Sequence, residues 1–436
     1  MREIINLHTG RTGITLGDRF WQNLSIEHGV NSLGSFTGPD IQEEGLGAFY
    51  RETGTNRYTP RAVFASFSEL SPSTICPLIN TTSDQYNGYI GWAMAYYTKG
   101  PELADRITEA IRREAEGCSN LQGIQLTYDL STSSEGGLGS LMLDRLREEY
   151  PSLTLTANSI LTSDDMAFDA LIQPYNTVFS LFHLIANTNF TVLFDYSAMD
   201  KEINRNGYRP PPGDAWCHHN QIASDVISGT TAPSRFSGME NAGLDSLAEQ
   251  MVPSPTLHFL TPSIAPFKEP TRIGRNLPEH IARELYQSSK WITDGGVSRQ
   301  GARCLAYSAN FRCKSFVENE MNLVLEATKR NSAAFGAEWM PENARLHSYP
   351  VPAASYDLSG TALSNSTSIL STLKAAIGRF EALHKCKKYH RAFNEEGMGD
   401  MEFTEAHAEL DGLIADYEAA ETECQQSLDG SPRVFH

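Results

Sequence analysis

Apolar residues fall into two rhythms along this chain, and the alternation between them predicts an α/β protein. Ile4, Ile5 and Leu7 form a strand-like run, Thr9-Gly10-Arg11-Thr12-Gly13 reads as a glycine-containing loop, and Leu16, Phe20, Leu24 and Ile26 recur at helical spacing. Strand, loop and helix in that order open a βαβ unit, whose free N–H groups at the helix N-terminus attract an anion. Two glycines three apart also occur in ordinary turns, so the motif needs support. The order returns downstream: an amphipathic helix over residues 102–118, an apolar strand over 121–130 and a helix over 138–150. Between that strand and helix lies a second loop, Ser131-Thr132-Ser133-Ser134-Glu135-Gly136-Gly137. In parallel sheets ligands sit beyond the carboxyl ends of the strands, so both loops should converge on one pocket.

Farther on, residues 205–219 read as a loop around Pro210-Pro211-Pro212-Gly213 and close a first domain, 1–205. A helix follows over about residues 220–236, with Pro233 placed to kink or stop its last turn, or simply to end it. Short β runs at 256–260 and 303–309 and a helix at 316–327 give an α+β pattern, so a second domain spans 206–375. The end of the chain reads as helices over 368–393 and 402–420, and residues 376–436 form a C-terminal unit with a short polar tail.

Charge narrows the function classes. The 436 residues carry 53 acidic against 35 basic side chains, a formal −18, which disfavours nucleic acid and anionic membrane and favours protein partners. Seven scattered cysteines without a Cys-x-x-Cys pair read as reduced thiols. The start lacks a signal-peptide pattern and no apolar run is long enough to span a bilayer, so the expected location is cytoplasmic. Cys217-His218-His219 is read as structural rather than as a metal site, because adjacent residues rarely point at one ion and no second ligand pair is spaced to help.

Several short strings then carry a resemblance. Met1-Arg2-Glu3-Ile4, Phe20-Trp21, Glu27-His28-Gly29, Pro60-Arg61-Ala62, Arg147-Glu148-Glu149-Tyr150-Pro151, Pro174-Tyr175-Asn176, Met251-Val252-Pro253 and Met401-Glu402-Phe403-Thr404-Glu405-Ala406 resemble tubulin in order and spacing. Leu121-Gln122-Gly123 followed by Gln125-Leu126-Thr127, in a chain too short for the extra loop of α-tubulin, makes it more similar to β-tubulin. The resemblance implies a tubulin/FtsZ-like α/β fold: a Rossmann-like GTPase domain, a central core helix, an α+β intermediate domain and C-terminal helices. It also implies GTP or GDP with magnesium, held by Gly10, Arg11, Thr12 and Gly13 in the first loop and Ser134, Glu135, Gly136 and Gly137 in the second. Asp169 matches an acid near the ribose, Trp216 an aromatic that stacks on the base, and Asn220 and Tyr196 two positions that read its edge. Trp216 reads equally well as a core residue at the domain junction.

The departures from the family pattern all weaken the phosphate end. The signature GGGTGSG is replaced by residues 131–137, which keep one of its five glycines and put Glu135 where the family places phosphate, unless that side chain turns outward. Arg11-Thr12 replaces Gln-Cys, Gly88-Tyr89-Ile90-Gly91 precedes Trp92 in place of an asparagine-bearing loop, and the magnesium-side acids map to Ser66 and to Ser68 or Glu69. Arg11 and Glu135, opposite in charge, are expected to pair in the vacated phosphate site. In the loop 241–246, Gly243 and Ser246 lack the charges that serve a neighbouring subunit, so no catalytic residue is expected and GTP hydrolysis should be slight or absent. The sequence therefore points to a divergent β-tubulin-like cytoskeletal protein that associates with α-tubulin or with itself, its GTP binding weak or lost. Its alternatives are a working GTP-binding microtubule subunit and a pseudo-GTPase scaffold.

Overall fold

Each apolar rhythm becomes one layer of a three-layer α/β structure. The computed structural model describes residues 2–43, 45–54, 56–68, 79–84, 86, 89–162, 170–205, 207, 216–236, 243–267, 278–285, 292–293, 302–314 and 344–430. The first part contains β1 (Glu3–Thr9), α1 (Gly10–Glu27), α2 (Asp40–Glu43), α3 (Leu46–Phe49), β2 (Tyr50–Gly54), β3 (Arg57–Pro60), β4 (Ala62–Ser66), β5 (Asn80–Ser83), α4 (Gly100–Glu116), β6 (Leu121–Asp129), α5 (Ser133–Glu149), β7 (Thr154–Leu161), α6 (Gln173–Asn187), β8 (Phe190–Asp195) and α7 (Tyr196–Arg205). Then come α8 (Cys217–Arg235), α9 (Leu244–Met251), β9 (Phe259–Ala265), α10 (Pro278–Leu285), β10 (Cys304–Cys313), β11 (Ala344–Tyr349), β12 (Leu358–Ser366), α11 (Leu370–His384), α12 (His390–Asn394) and α13 (Asp400–Gly430).

Among the described residues one ten-stranded sheet runs in the order β11-β10-β12-β9-β8-β7-β6-β1-β4-β5. From β5 to β9 neighbouring strands are parallel, whereas β12 is antiparallel to both β9 and β10. Helices cover both faces, so β1 is buried along its whole length. Ile5 and Leu7 enter a core shared with α4, α5, α6, α11 and α13, while Ile4 points into the opposite core with α1, α7 and α8.

Several boundaries differ from expectation. The helix foreseen from residue 138 starts at Ser133, so most of the expected loop 131–137 is the first turn of α5. Thr132, extended at the N-cap, and Glu135, an acid in the first turn, both favour an early start. Glycine costs up to about 1 kcal/mol inside a helix, but here it permits contact: a Cβ on Gly137 would sit 2.2 Å from the Trp92 carbonyl, and one on Gly139 2.3 Å from the Tyr128 ring. The strand expected at 256–260 is β9, displaced to Phe259–Ala265, and the terminal helix extends to Gly430. The helix expected at 316–327 lies outside the described residues.

Pro233 does not stop α8, which continues to Arg235. A proline there leaves the carbonyl four residues back, that of Gly229, without its helical donor. Asn310 on β10 supplies the replacement, Nδ2 to that oxygen at 3.1 Å. The helix therefore survives because a neighbouring strand completes its hydrogen bonding.

Strand β1 has β4 on one side and β6 on the other, so the chain reverses its direction of winding at β1. That switch opens a crevice beyond the carboxyl ends of the three strands. The residues that follow β1, β4 and β6 meet there.

Candidate functional site: a nucleotide-type crevice

Helix α1 begins with no side-chain cap: Thr9 is extended at the N-cap and its hydroxyl makes no capping bond. Gly10 holds φ of 74°, in the left-handed region that glycine tolerates. The first turn finds a carboxyl group from elsewhere in the chain. Glu135 Oε1 accepts from the Thr12 backbone N–H at 3.0 Å, with the Thr12 hydroxyl at 3.4 Å. Its side chain fills the hollow over Gly10, where a Cβ would lie 2.1 Å from Glu135 Cγ and 2.6 Å from Oε2. Glu135 is 7 % exposed, and Oε2 has no hydrogen-bond partner.

Burial, and then the nearby Asp129 carboxylate, push the Glu135 pKa up, against the backbone N–H groups at the start of α1, Thr12 first, that pull it down. Asp129, at the end of β6, is also raised by burial, although Ser131 donates to its Oδ1 from both backbone and hydroxyl. Two buried carboxyls thus sit behind the first turns of α1 and α5. Asp129 escaped the sequence reading; the Asp-x-Ser spacing with Ser131, which makes a local side-chain turn, was the available signal.

The expected Arg11–Glu135 pair does not form. Arg11 is exposed, and no ion pair joins the two side chains. A helix N-terminus solvates the carboxylate without moving a guanidinium out of water, which is the less costly arrangement. Gly136 and Gly137 are also not open to the crevice: Cβ atoms there would meet Ser180 Oγ at 2.8 Å and the Trp92 carbonyl at 2.2 Å. These two glycines serve helix packing. Ser134 and Glu135 line a remaining cleft of ≈ 300 Å³ with Gly10, Arg11, Ser66 and Ser68. Ser66 and Ser68 bond each other at 3.0 Å.

Tyr196, Trp216 and Asn220 form a second cluster. The Tyr196 hydroxyl, fully buried at the start of α7, donates to Asn220 Oδ1 at 2.6 Å. Its ring centroid lies 5.2 Å from Trp216 and 4.9 Å from His219, and His219 packs edge-on against Trp216 at 4.8 Å. His219 Nε2 meets Asp200 at 2.9 Å. Trp216 is half-buried against the core that contains α1 and α8. The clusters adjoin: burial holds the Tyr196 hydroxyl protonated, and Asp129 and Glu135 reinforce it. Asp169, Glu69, Gly88, Asn241 and Ala242 lie outside the described residues. Ser246 is on α9, where its hydroxyl accepts from Gln250 Nε2 at 2.9 Å.

A glycine-hinged loop at a topological switch, beside an uncapped helix and a buried aromatic–asparagine pair, is the layout of a nucleotide-binding α/β domain. Comparison with known proteins specifies which. Residues 3–204 match the model of the Tubulin/FtsZ family, GTPase domain. The chain is 32% identical over 430 residues to the tubulin beta-1 chain of Colletotrichum graminicola, covering 96% of this chain and 95% of that protein. It is 32% identical over 436 residues to the tubulin beta chain of Candida albicans, covering 96% and 94%. The chain belongs to the tubulin family, and within it is β-tubulin-like.

For a tubulin the family implies GTP and magnesium, and the described donors do not fit them. The α1 N-terminus that would receive phosphate already receives a carboxyl oxygen. The Asn220 oxygen is taken by Tyr196, whose ring is packed against Trp216 and His219. On the side facing Ser66 and Ser68 the donors are hydroxyls, where a hard cation would want carboxylates.

Proposed function

We propose that this tubulin is a divergent, β-tubulin-like cytoskeletal subunit that associates with α-tubulin or with copies of itself through the family's longitudinal surfaces, and whose GTP binding is weak or lost. The observation that carries the reading is Glu135 Oε1 on the Thr12 N–H, a carboxyl oxygen bonded where a phosphate would bind. While the Glu135 side chain bonds the Thr12 N–H and fills the hollow over Gly10, a phosphate cannot reach the same position. Ser246, uncharged and hydrogen-bonded within its own helix, supports the absence of a catalytic contribution to a neighbour. Cytoplasmic location and a division into GTPase-type (1–205), intermediate (206–375) and C-terminal (376–436) units belong to the same reading.

Mass spectrometry of material released on denaturing the purified protein tests it. No guanine nucleotide above trace is expected; stoichiometric GTP or GDP would reverse the reading in favour of a working tubulin GTPase. Sedimentation with and without α-tubulin tests the partner: co-pelleting, or pelleting alone, is expected. A chain that stays in the supernatant under both conditions would be a non-polymerising scaffold.

A further inference from the structure

We infer that Glu135 is a built-in carboxyl group that keeps an intact polyphosphate site at the N-terminus of α1 occupied by the chain itself, so that removing this one side chain uncovers the site. The inference rests on the reading of lost nucleotide binding and adds its cause: occupancy, not decay of the helix terminus. Four observations converge. The first is the geometry of the contact, Oε1 at 3.0 Å from the Thr12 N–H, at the start of an 18-residue helix with no side-chain cap of its own. The second is the hollow over Gly10, kept open by a left-handed glycine and filled by the Glu135 side chain.

The third observation is a mismatch. Glu135 Oε2 is buried in the site without a partner. A carboxylate has two oxygens in one plane, and here one of them goes unused, whereas a phosphoryl group presents three oxygens around an axis to the same fan of N–H groups. The group in place is therefore smaller and poorer in contacts than the site can serve. Fourth, the cleft of ≈ 300 Å³ continues outward past Arg11, Ser66, Ser68 and Ser134. An exposed guanidinium and three hydroxyls are donors for further phosphoryl groups, and none of them is blocked by Glu135. Because Tyr196 occupies the Asn220 oxygen, a bare polyphosphate is the suitable probe, not a nucleotide.

Titration calorimetry of the full chain with inorganic tripolyphosphate, at fixed ionic strength, tests the inference. The wild type is expected to bind weakly or not at all, and Glu135→Ser at least about tenfold more tightly, an anion having gained the helix terminus. Glu135→Gln, which keeps the hollow filled, should stay as weak as the wild type, and adding Arg11→Ala to Glu135→Ser should reverse much of the gain. A folded Glu135→Ser, with its circular dichroism intact, that binds no better than the wild type overturns the inference. Should that variant fail to fold, hydrogen exchange in the wild type decides. The Thr12 amide should be protected without ligand and unchanged by tripolyphosphate; fast exchange there, or added protection with tripolyphosphate, would overturn the inference. The two proposals fail separately: a wild type that carries nucleotide sinks the proposed function, while a nucleotide-free wild type with an unresponsive Glu135→Ser sinks only this one.

Discussion

Glu135 shows how one substitution changes meaning with its surroundings. In an exposed loop a glutamate in place of glycine would be a local charge; on the first turn of α5 it reaches across to α1 and meets the Thr12 N–H. Its pKa is raised by burial and by Asp129, so the folded state holds this proton more tightly than the unfolded chain does. The resulting stabilisation is complete at low pH and is lost as pH rises above the unfolded value of 4.5 and through the raised folded value. Melting temperature should therefore fall more between pH 5 and pH 9 in the wild type than in Glu135→Gln. Asp225, raised to about 7 by burial, has the same sign but is present in both proteins and cancels in the comparison. Parallel melting profiles would show that Glu135 titrates normally.

At the scale of elements, α8 draws part of its hydrogen bonding from a neighbour. It is buried on most sides, packs Gly229 against Thr361, and contains a proline two residues before its end. Asn310 donates to the carbonyl that Pro233 leaves open. Asn310→Ala should cost about 1–3 kcal/mol, the penalty of a buried carbonyl left without a donor. In Pro233→Ala the helix regains its own N–H for Gly229, so the same Asn310→Ala change should cost less in that background. Urea denaturation of the four proteins gives the coupling. Additive costs would mean that the Asn310 contact does not compensate for the proline.

At the scale of the whole molecule, α8 is tied to the rest at both ends by protein groups. Near its start Asn220 accepts from Tyr196, and near its end Arg235 and Arg312 each reach Glu27 at 2.8 Å. Burial alone would raise the Glu27 pKa, but Arg312, Arg235 and the Ser228 hydroxyl hold it down to about 2. This cluster joins the end of α1, the end of α8 and β10, and the Ala354 N–H also donates to Glu27 at 3.2 Å. A ligand moves an equilibrium only through different affinities for two states. Under the proposed reading, with the Thr12 N–H and the Asn220 oxygen both taken by side chains, GTP would have no differential grip on α8. Hydrogen exchange across residues 217–235 should be the same with and without millimolar GTP and magnesium. Nucleotide-dependent protection of α8 would show that the crevice still binds and still signals.

The sequence alone determined the layers, the family and the place of the crevice. Hydrophobic period separates strands from helices, and βαβ order sends the residues after β1 and β6 to the same sheet edge. It also exposed the loss of glycines at residues 131–137, because composition is local information. What it could not give was the partner of each unusual residue. Opposite charges on two loops predicted an Arg11–Glu135 pair, yet a helix N-terminus is an anion site made of backbone, and nothing in the side-chain sequence marks where it will point. Asn310 lies 77 positions from Pro233, and only the packing of β10 on α8 makes it that helix's missing donor. Tyr196 is one substitution in sequence, but its effect on Asn220 depends on an aromatic cluster with Trp216 and His219, roughly twenty residues away. Period and composition are properties of neighbours along the chain; which side chain fills which hollow is fixed only when distant segments are packed to contact, as where Glu135 of α5 fills the hollow over Gly10.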